Sequence, residues 1–285
     1  MKIPARLTPL ISEGMIDRVV SRLMSGKEAD VYIVEINGRR QCAKIYKDVE
    51  HRGFKQAVRY TEGRKSRNSR RGRAMEKGSK YGRDQKEKSW HDAEINALRK
   101  VAAAGVRVPK PMSCVDGILF MELITDTEGN AAPRLSEVAL KPEQAIEDHN
   151  TLIKYILRML HVGIVHGDLS EFNILVDEYG PVIIDLPQAV DAAANNNAKE
   201  MLLRDVNKIR DYYAQYAPAL SSTKYGKEIW SLYESGTLSP NVNLTGTFEE
   251  NTKSADVEGV MHEIEEALKE QQERIRRIEE AEQNP

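Results

Sequence analysis

The sequence His166-Gly-Asp-Leu-Ser-Glu-Phe-Asn-Ile-Leu-Val176 is followed closely by Val182-Ile-Ile-Asp-Leu-Pro-Gln188. Both parts contain a short apolar run typical of a β-strand, with Asp168, Asn173 and Asp185 at the ends of these runs. Phosphoryl transfer requires this pattern, because one carboxylate lies beside the attacking group while an amide and a second carboxylate bind Mg²⁺. The stretch therefore predicts an ATP-dependent phosphotransferase.

The composition is that of an ordinary globular protein, with 40% hydrophobic and 30% charged residues in a chain of 285, long enough for two lobes. Apolar runs such as 118–123 are far below the roughly 20 residues of a spanning helix. The start of the chain leads into no apolar core of signal-peptide length, so we predict a cytoplasmic protein without membrane contact. Cys42 and Cys114 lie beside apolar residues in expected strands, which favours buried free thiols.

The first 46 residues contain a predicted helix and a predicted hairpin. Residues 1–20 have apolar residues at roughly helical spacing and are interpreted as a helix and connector. Farther on, Asn37-Gly38 separates two runs rich in β-formers, which is a strong hairpin signal. The turn before the first of these strands contains a glycine, so its backbone amides can approach phosphate oxygens, and Lys44 on the second strand can reach the α and β phosphates of ATP. The predicted nucleotide-binding residues of this region are Ser25, Gly26, Lys27, Glu28, Ala29, Val31 and Lys44.

A basic segment follows the hairpin. Arg and Lys are dense between Arg52 and Lys88, while the tail beyond Glu249 is rich in Glu, so the formal charge of −2 is the sum of opposite regions. Residues 52–86 cannot bury enough apolar area to fold alone, and two interpretations stay open: a solvated insertion, or a phosphate-facing patch for RNA, the ribosome or an acidic partner.

Two further segments complete the predicted nucleotide cleft. A helix is expected from about Asp84 to Ala103, and Glu94 on its apolar face needs a charged partner, for which Lys44 is the natural candidate. Residues 118–124 read as a strand that leads into the connection between the lobes. In a two-lobed kinase this connection bonds adenine through its backbone, which assigns Met121, Glu122 and Ile124 to the nucleotide site.

The remainder of the chain predicts mainly helices. Pro142 opens a long amphipathic helix that ends near His161, and helix-like segments follow at 198–213 and 224–233. Residues 256–282 predict an amphipathic helix that packs on the body of the protein or on another chain. The predicted domains are a connector over 1–20, an N-lobe over 21–124 with its insertion at about 52–86, a C-lobe over 125–248 and an acidic C-terminal helix over 249–285.

These motifs together resemble the RIO family of atypical serine/threonine protein kinases and ATPases. The resemblance extends from about Leu23 to Tyr213. It is carried by Ser25-Gly-Lys-Glu-Ala-Asp-Val-Tyr, Ala43-Lys-Ile-Tyr, Trp90 with Glu94, Met121-Glu-Leu-Ile, His166-Gly-Asp-Leu-Ser-Glu-Phe-Asn and Ile184-Asp-Leu-Pro-Gln.

The resemblance implies an α+β, two-lobed, protein-kinase-like fold that is reduced and lacks an activation segment. It implies that Asp168 is the catalytic aspartate and that Lys44 and Glu94 orient the nucleotide. Asn173 and Asp185 would bind Mg²⁺, or alternatively Mn²⁺. It further implies autophosphorylation of a loop between Lys47 and Trp90, an unknown protein acceptor, a link to ribosome maturation, and an ATPase route in which Asp185 becomes phosphorylated.

Two alternatives remain at the level of sequence. The His-Gly-Asp motif with its asparagine is also typical of aminoglycoside and choline kinases, which phosphorylate small molecules. The basic segment suits an RNA-binding or ribosome-binding assembly factor whose nucleotide acts as a switch.

Overall fold

The computed structural model describes residues 3–26, 29–47 and 93–249. The predicted basic insertion, Trp90 and the predicted C-terminal helix lie outside these ranges. None of the helices within them is long and apolar enough to cross a membrane.

A five-stranded antiparallel sheet forms the first half of the described fold. Its order is β1-β2-β3-β5-β4. The predicted hairpin is confirmed: β2 pairs with β3 through a turn in which Asn37 and Gly38 have φ of 52° and 69°, the left-handed values that a tight two-residue turn requires. The strands are β1 (Arg18–Ser25), β2 (Ala29–Ile36), β3 (Arg39–Tyr46), β4 (Pro111–Val115) and β5 (Ile118–Glu122).

The structure corrects two predictions at the edges of this sheet. The short helix predicted in residues 1–20 is present as α1 (Thr8–Ser12), but Val19, which was expected in the helical pattern, lies in strand β1. Strand β1 is an edge strand whose register with β2 shifts twice, so its side chains do not alternate between buried and exposed as a strand signal requires. Cys42 is buried as expected, but Cys114 is exposed, because β4 is the opposite edge of the sheet.

Helices are the main secondary structure of the second half. The predicted long helix is confirmed as α3 (Pro142–His161), which has its proline in the first turn, where no backbone N–H is needed. The two helix-like segments are also confirmed, and the predicted helix that carries Glu94 is helical over residues 93–103, its described part, which we call α2. The other helices are α4 (Ala198–Ala214) and α5 (Tyr225–Glu234).

Two short strand pairs hold the loops of this half in place. Strand β6 (Ile164–Val165) pairs with β9 (Val190–Asp191). Strand β7 (Ile174–Asp177) pairs with β8 (Gly180–Ile183). At the open end of this second hairpin, the N–H of Ile184 donates to the carbonyl of Asn173 at 3.0 Å. The register therefore places Asn173 beside the residue that precedes Asp185.

The hydrophobic core connects the sheet to the helices. Leu119 and Ala29 of the sheet pack in the same buried cluster as Leu152 and Ile156 of α3, while a smaller cluster joins α1 to the outer face of the sheet. The α+β class with a sheet followed by a mainly helical half is thus confirmed. The lobe boundaries at 124 and 248 stay predictions.

Candidate active site

A buried ion-pair network joins the sheet to α2 and to the end of β8. The Nζ of Lys44 lies 2.7 Å from Oε1 of Glu94 and 2.6 Å from Oδ1 of Asp185. The Lys44 side chain is only 7% exposed and that of Glu94 only 2%, whereas that of Asp185 is 39% exposed. The predicted pair of Lys44 and Glu94 is present, and it includes Asp185 as a third member.

Tyr46 closes this network from the sheet side. Its hydroxyl donates to Oε2 of Glu94, and the Lys44 ammonium lies 5.2 Å from the centre of its ring. Both carboxylate oxygens of Glu94 therefore accept hydrogen bonds. These contacts hold the Lys44 ammonium in place beside Asp185.

The protonation states in the network follow from these contacts. Burial lowers the pKa of Lys44, but the charges of Asp185 and Glu94 outweigh it, so the pKa lies well above its ordinary value. Burial raises the pKa of Asp185, while the charge of Lys44 and its hydrogen bond lower it by more, and the net pKa is lowered. The network consequently holds an ammonium and an ionised carboxylate next to each other before any ligand binds.

The backbone of Asp185 has φ of 67°, in the left-handed region. An aspartate there is strained by about 1 kcal/mol relative to its ordinary conformations. Asp185 lies two residues after the end of β8. The turn of the backbone at this residue directs its carboxylate to Lys44. The backbone geometry is thus part of how the site is built.

The loop that carries Asp168 is held in place by another aspartate, which lies on α4. Asp205 of α4 accepts the N–H of Gly167 at 2.8 Å and the N–H of Leu169 at 3.1 Å. It is buried, and burial raises its pKa to about 6, although these two amide hydrogen bonds act in the opposite direction. Asp205 therefore fixes the residues on both sides of Asp168.

His166 connects this loop to the residue that precedes Asp185. Its Nε2 lies 3.1 Å from the carbonyl of Ile184, and its Nδ1 accepts the N–H of Asp168 at 3.3 Å. Nδ1 is therefore an acceptor, which assigns the ring proton to Nε2. This histidine sets the spacing between the segments that carry the two aspartates.

Asp168 itself contacts a lysine that sequence reasoning missed. The Nζ of Lys208 on α4 lies 3.3 Å from Oδ1 of Asp168. Both side chains are partly exposed, 40% for Lys208 and 44% for Asp168. Neither Lys208 nor Asp205 belongs to a motif that could have revealed it, since both lie well over 30 positions from their partners in the chain.

Arg134 is another residue that the sequence analysis did not single out. Its guanidinium contacts the sulfur of Met24 at the end of β1. Its charge also contributes to the lowered pKa of Asp185. The charge of Arg134 thus acts on the Asp185 carboxylate in the same direction as that of Lys44.

The oxygens of Asn173 and Asp185 fit the chemistry of Mg²⁺. Nδ2 of Asn173 donates to the carbonyl of Asp168 at 2.9 Å, which leaves Oδ1 of its amide as the acceptor atom. Asp185 uses Oδ1 for Lys44 and presents a second carboxylate oxygen. Mg²⁺ prefers such hard oxygen ligands and takes only one or two carboxylates when it also binds substrate phosphates.

A hydrogen bond joins the two ends of the glycine turn. The N–H of Gly26 donates to the carbonyl of Ala29 at 2.9 Å, and Nζ of Lys47 donates to the carbonyl of Gly26 at 2.7 Å. The Gly26 amide is thus engaged within the turn and does not point to a ligand. Ser25 ends β1, and Val31 pairs with Lys44 across the β2–β3 ladder. Lys27 and Glu28 lie outside the described residues, so their predicted roles stay predictions.

The predicted adenine-binding segment follows β5. The N–H of Glu122 donates to the carbonyl of Lys110, and the carbonyl of Ile124 accepts the N–H of Ala132, both at 2.9 Å. The N–H of Glu122 and the carbonyl of Ile124 thus bond within the protein. The prediction of adenine binding is therefore restricted to the carbonyl of Glu122 and the N–H of Ile124. Met121 is partly buried and packs against the core that both halves share.

Comparison with known proteins places this geometry in context. The model of the RIO domain matches residues 30–225. The RIO-type serine/threonine-protein kinase Rio1 of Haloferax volcanii is 32% identical over 213 residues, which are 73% of this chain and 68% of that protein.

Two eukaryotic relatives are much longer than this chain. The serine/threonine-protein kinase rio1 of Schizosaccharomyces pombe is 31% identical over 65% of this chain, and RIO1 of Homo sapiens is 29% identical over 76% of it. The matched residues cover 36% and 37% of those two proteins.

Proposed function

The chain belongs to the RIO family of serine/threonine kinases, and from this premise we propose that it transfers or releases the γ-phosphoryl group of ATP at the site between Lys44, Asp168 and Asp185. The observation that carries the proposal is the buried network in which Lys44 contacts Glu94 and Asp185. It presents an ammonium and a carboxylate beside Asn173, and these are the groups that bind a metal–nucleotide complex. The family assignment favours this function over a small-molecule kinase.

The residues have distinct parts in the proposed reaction. Lys44 holds the α and β phosphates and is itself oriented by Glu94. Asn173 and Asp185 hold Mg²⁺ or Mn²⁺, which neutralises charge on the phosphate oxygens when bound. Asp168 orients the attacking hydroxyl or water and accepts its hydrogen bond. Catalysis then depends mainly on positioning and electrostatics.

Substitution of Asp185 tests the proposal directly. Asp185→Asn removes the carboxylate charge while the new side chain tolerates the left-handed backbone. We expect ATP turnover, measured with radiolabelled ATP, to fall roughly 1000-fold, since a neutral amide would hold Mg²⁺ more weakly and the metal ion would neutralise the negative charge that develops in the reaction.

A matched control variant is present in the chain. Asp116 has φ of 48° in the turn between β4 and β5, and Asp116→Asn is expected to leave turnover unchanged. Undiminished hydrolysis in Asp185→Asn would reject the assignment of the site.

The acceptor of the phosphoryl group can be identified by the stability of the label. Transfer to a serine or threonine gives a phosphoester that survives hydroxylamine, whereas a phosphorylated Asp185 loses its label to that reagent. We propose phosphoryl transfer to a serine or threonine hydroxyl, including autophosphorylation, as the main activity. Complete loss of protein-bound label in hydroxylamine would make the ATPase route through Asp185 the activity of the enzyme.

We also propose that residues 52–88 bind ribosomal RNA in the cytoplasm. The support is the density of Arg and Lys in this segment, because each phosphate contact releases counterions. Neutralising the cations of residues 64–73 with Gln is expected to weaken RNA binding most at low salt and to leave ATP hydrolysis intact. A variant with the same ten residues in permuted order serves as the control. RNA affinity unchanged by neutralisation would overturn this part.

A further inference from the structure

Lys208 has a fixed position relative to Asp168. It lies on α4 three residues after Asp205, and Asp205 accepts the amides of Gly167 and Leu169. The same helix therefore holds the loop from below and presents the ammonium to the carboxylate of Asp168 at 3.3 Å. Because a helix is rigid over one turn, this arrangement is built by the fold and does not depend on a flexible loop.

The stability of the protein gives no reason for this ion pair. Lys208 and Asp168 are 40% and 44% exposed, and pairs with this exposure contribute little to folding. The contact is also longer than the 2.6 Å between Lys44 and Asp185. Both partners remain accessible to a ligand, and the ammonium has further donors beyond the one that faces Asp168.

A cation at this place would stabilise the transferred phosphoryl group. In phosphoryl transfer, negative charge spreads over the three equatorial oxygens of the transferred group. Lys44 already contacts Glu94 and Asp185, and its side chain is only 7% exposed. The guanidinium of Arg204 donates to the carbonyl of Gly167. Position 170, two residues after Asp168, is a serine and supplies no positive charge. Lys208 is thus the side-chain ammonium in contact with Asp168, where the attacking group would lie.

We propose that Lys208 is a catalytic residue that binds an equatorial oxygen of the phosphoryl group during its transfer; this inference rests on the proposed function. The oxygen of the acceptor hydroxyl, or of water, forms a bond to the γ-phosphorus. The bond from that phosphorus to the β–γ bridging oxygen breaks, and ADP leaves with the electron pair. The proton of the attacking group passes to Asp168 or to solvent. Lys208 moves no proton and stabilises charge only.

Substitution of Lys208 is expected to lower the rate and spare the binding of ATP. Lys208→Met should reduce kcat roughly 100-fold with KM for ATP nearly unchanged, since the contact is made mainly in the transition state. Lys208→Arg should restore part of the rate. The control is Lys199→Met on the same helix, whose ammonium lies 3.2 Å from Glu234 in a pair that is 50% and 54% exposed. That variant is expected to match the wild type.

Binding of a transition-state analogue separates a direct contact from an effect through Asp168. The probe is ADP with Mg²⁺ and aluminium fluoride, measured by calorimetry against ADP with Mg²⁺ alone. We expect Lys208→Met to weaken the analogue at least 10-fold and ADP less than 2-fold. The same weakening should persist when Lys208→Met is made in an Asp168→Asn background. A loss that disappears in that background would overturn the direct contact, as would unchanged affinity for the analogue.

Failure of this inference is distinguishable from failure of the proposed function. A wild-type protein that turns over ATP, together with a Lys208→Met variant that turns it over equally fast, overturns the role of Lys208 alone. A wild-type protein without turnover, and without analogue binding tighter than ADP binding, overturns both. A lower melting temperature of Lys208→Met relative to Lys199→Met would make its loss of rate structural and would also count against the proposal.

Discussion

Asp185 and Asp168 are similarly exposed, at 39% and 44%, and each contacts one lysine, yet the two lysines differ greatly. Lys44 is 7% exposed and has Glu94 as a second carboxylate, whereas Lys208 is 40% exposed. Charges interact more strongly when they are shielded from water. The difference teaches that the proposed nucleotide side of the site is buried and tightly paired in the fold, while the proposed acceptor side is open to solvent.

The largest effect that tests this comparison is expected for Glu94→Gln. The variant leaves the buried ammonium of Lys44 with Asp185 alone, while Gln can still accept the hydroxyl of Tyr46. Removing one partner of a buried pair costs about 3 kcal/mol. We expect a loss of this size in the free energy of unfolding, measured by chemical denaturation.

Glu35→Gln is the matched control for that variant. Glu35 lies 2.8 Å from the guanidinium of Arg18, whose side chain is 65% exposed. An exposed pair of this kind contributes little to the free energy of unfolding. Similar losses for Glu94→Gln and Glu35→Gln would contradict the claim that burial separates the two sides of the site.

An intermediate effect is expected from Asp205, which supports the acceptor side. Its pKa of about 6 in the folded protein lies above the ordinary value of 3.8. The folded state therefore holds this proton more tightly, and the resulting stability is present below about pH 4 and is lost as the pH rises through 6. Between about pH 4.5 and about pH 7 the loss amounts to about 2 kcal/mol.

Asp205→Asn removes this titration. The unfolding free energy of the variant minus that of the wild type should rise by about 2 kcal/mol over that same interval, as measured by denaturation at several pH values. The wild type and the variant share every other titrating group, so the difference isolates Asp205. Parallel pH dependences of the two proteins would show that Asp205 does not titrate in this range.

The smallest effect is expected on the stability of Lys208→Met. The ion pair of Lys208 is exposed, so its loss should change the unfolding free energy by less than about 1 kcal/mol. Thermal and chemical denaturation should give the same result for Lys199→Met. A loss as large as that of Glu94→Gln would mean that both sides of the site are equally rigid.

Local signals in the sequence predicted much of the fold. Asn37-Gly38 defined the hairpin that carries Lys44, and Pro142 marked the start of α3. The pair of Lys44 and Glu94 could be predicted because a carboxylate on an apolar helix face needs a partner. Strand β1 could not, since an edge strand with two shifts of register lacks the alternation of a regular strand.

The support for Asp168 had no local signal. Asp205 and Lys208 lie on a helix that returns to the loop only in three dimensions, and a charged residue on a helix ordinarily faces solvent. The sequence predicts a nucleotide role for Lys44 from its strand together with the downstream Asp168, Asn173 and Asp185, whereas its hydrogen bond to Asp185 depends on the turn after β8. Contacts of this kind follow from packing, which single-sequence patterns do not encode.

The left-handed backbone of Asp185 sets two contributions to stability against each other. Glycine is the residue that adopts a φ of 67° without strain, so Asp185→Gly would relax the chain and remove the carboxylate together. The strain released would be about 1 kcal/mol, whereas the loss of a charged partner of the buried Lys44 ammonium costs about 3 kcal/mol. The unfavourable backbone conformation is therefore held in place by the ion pair that it makes possible.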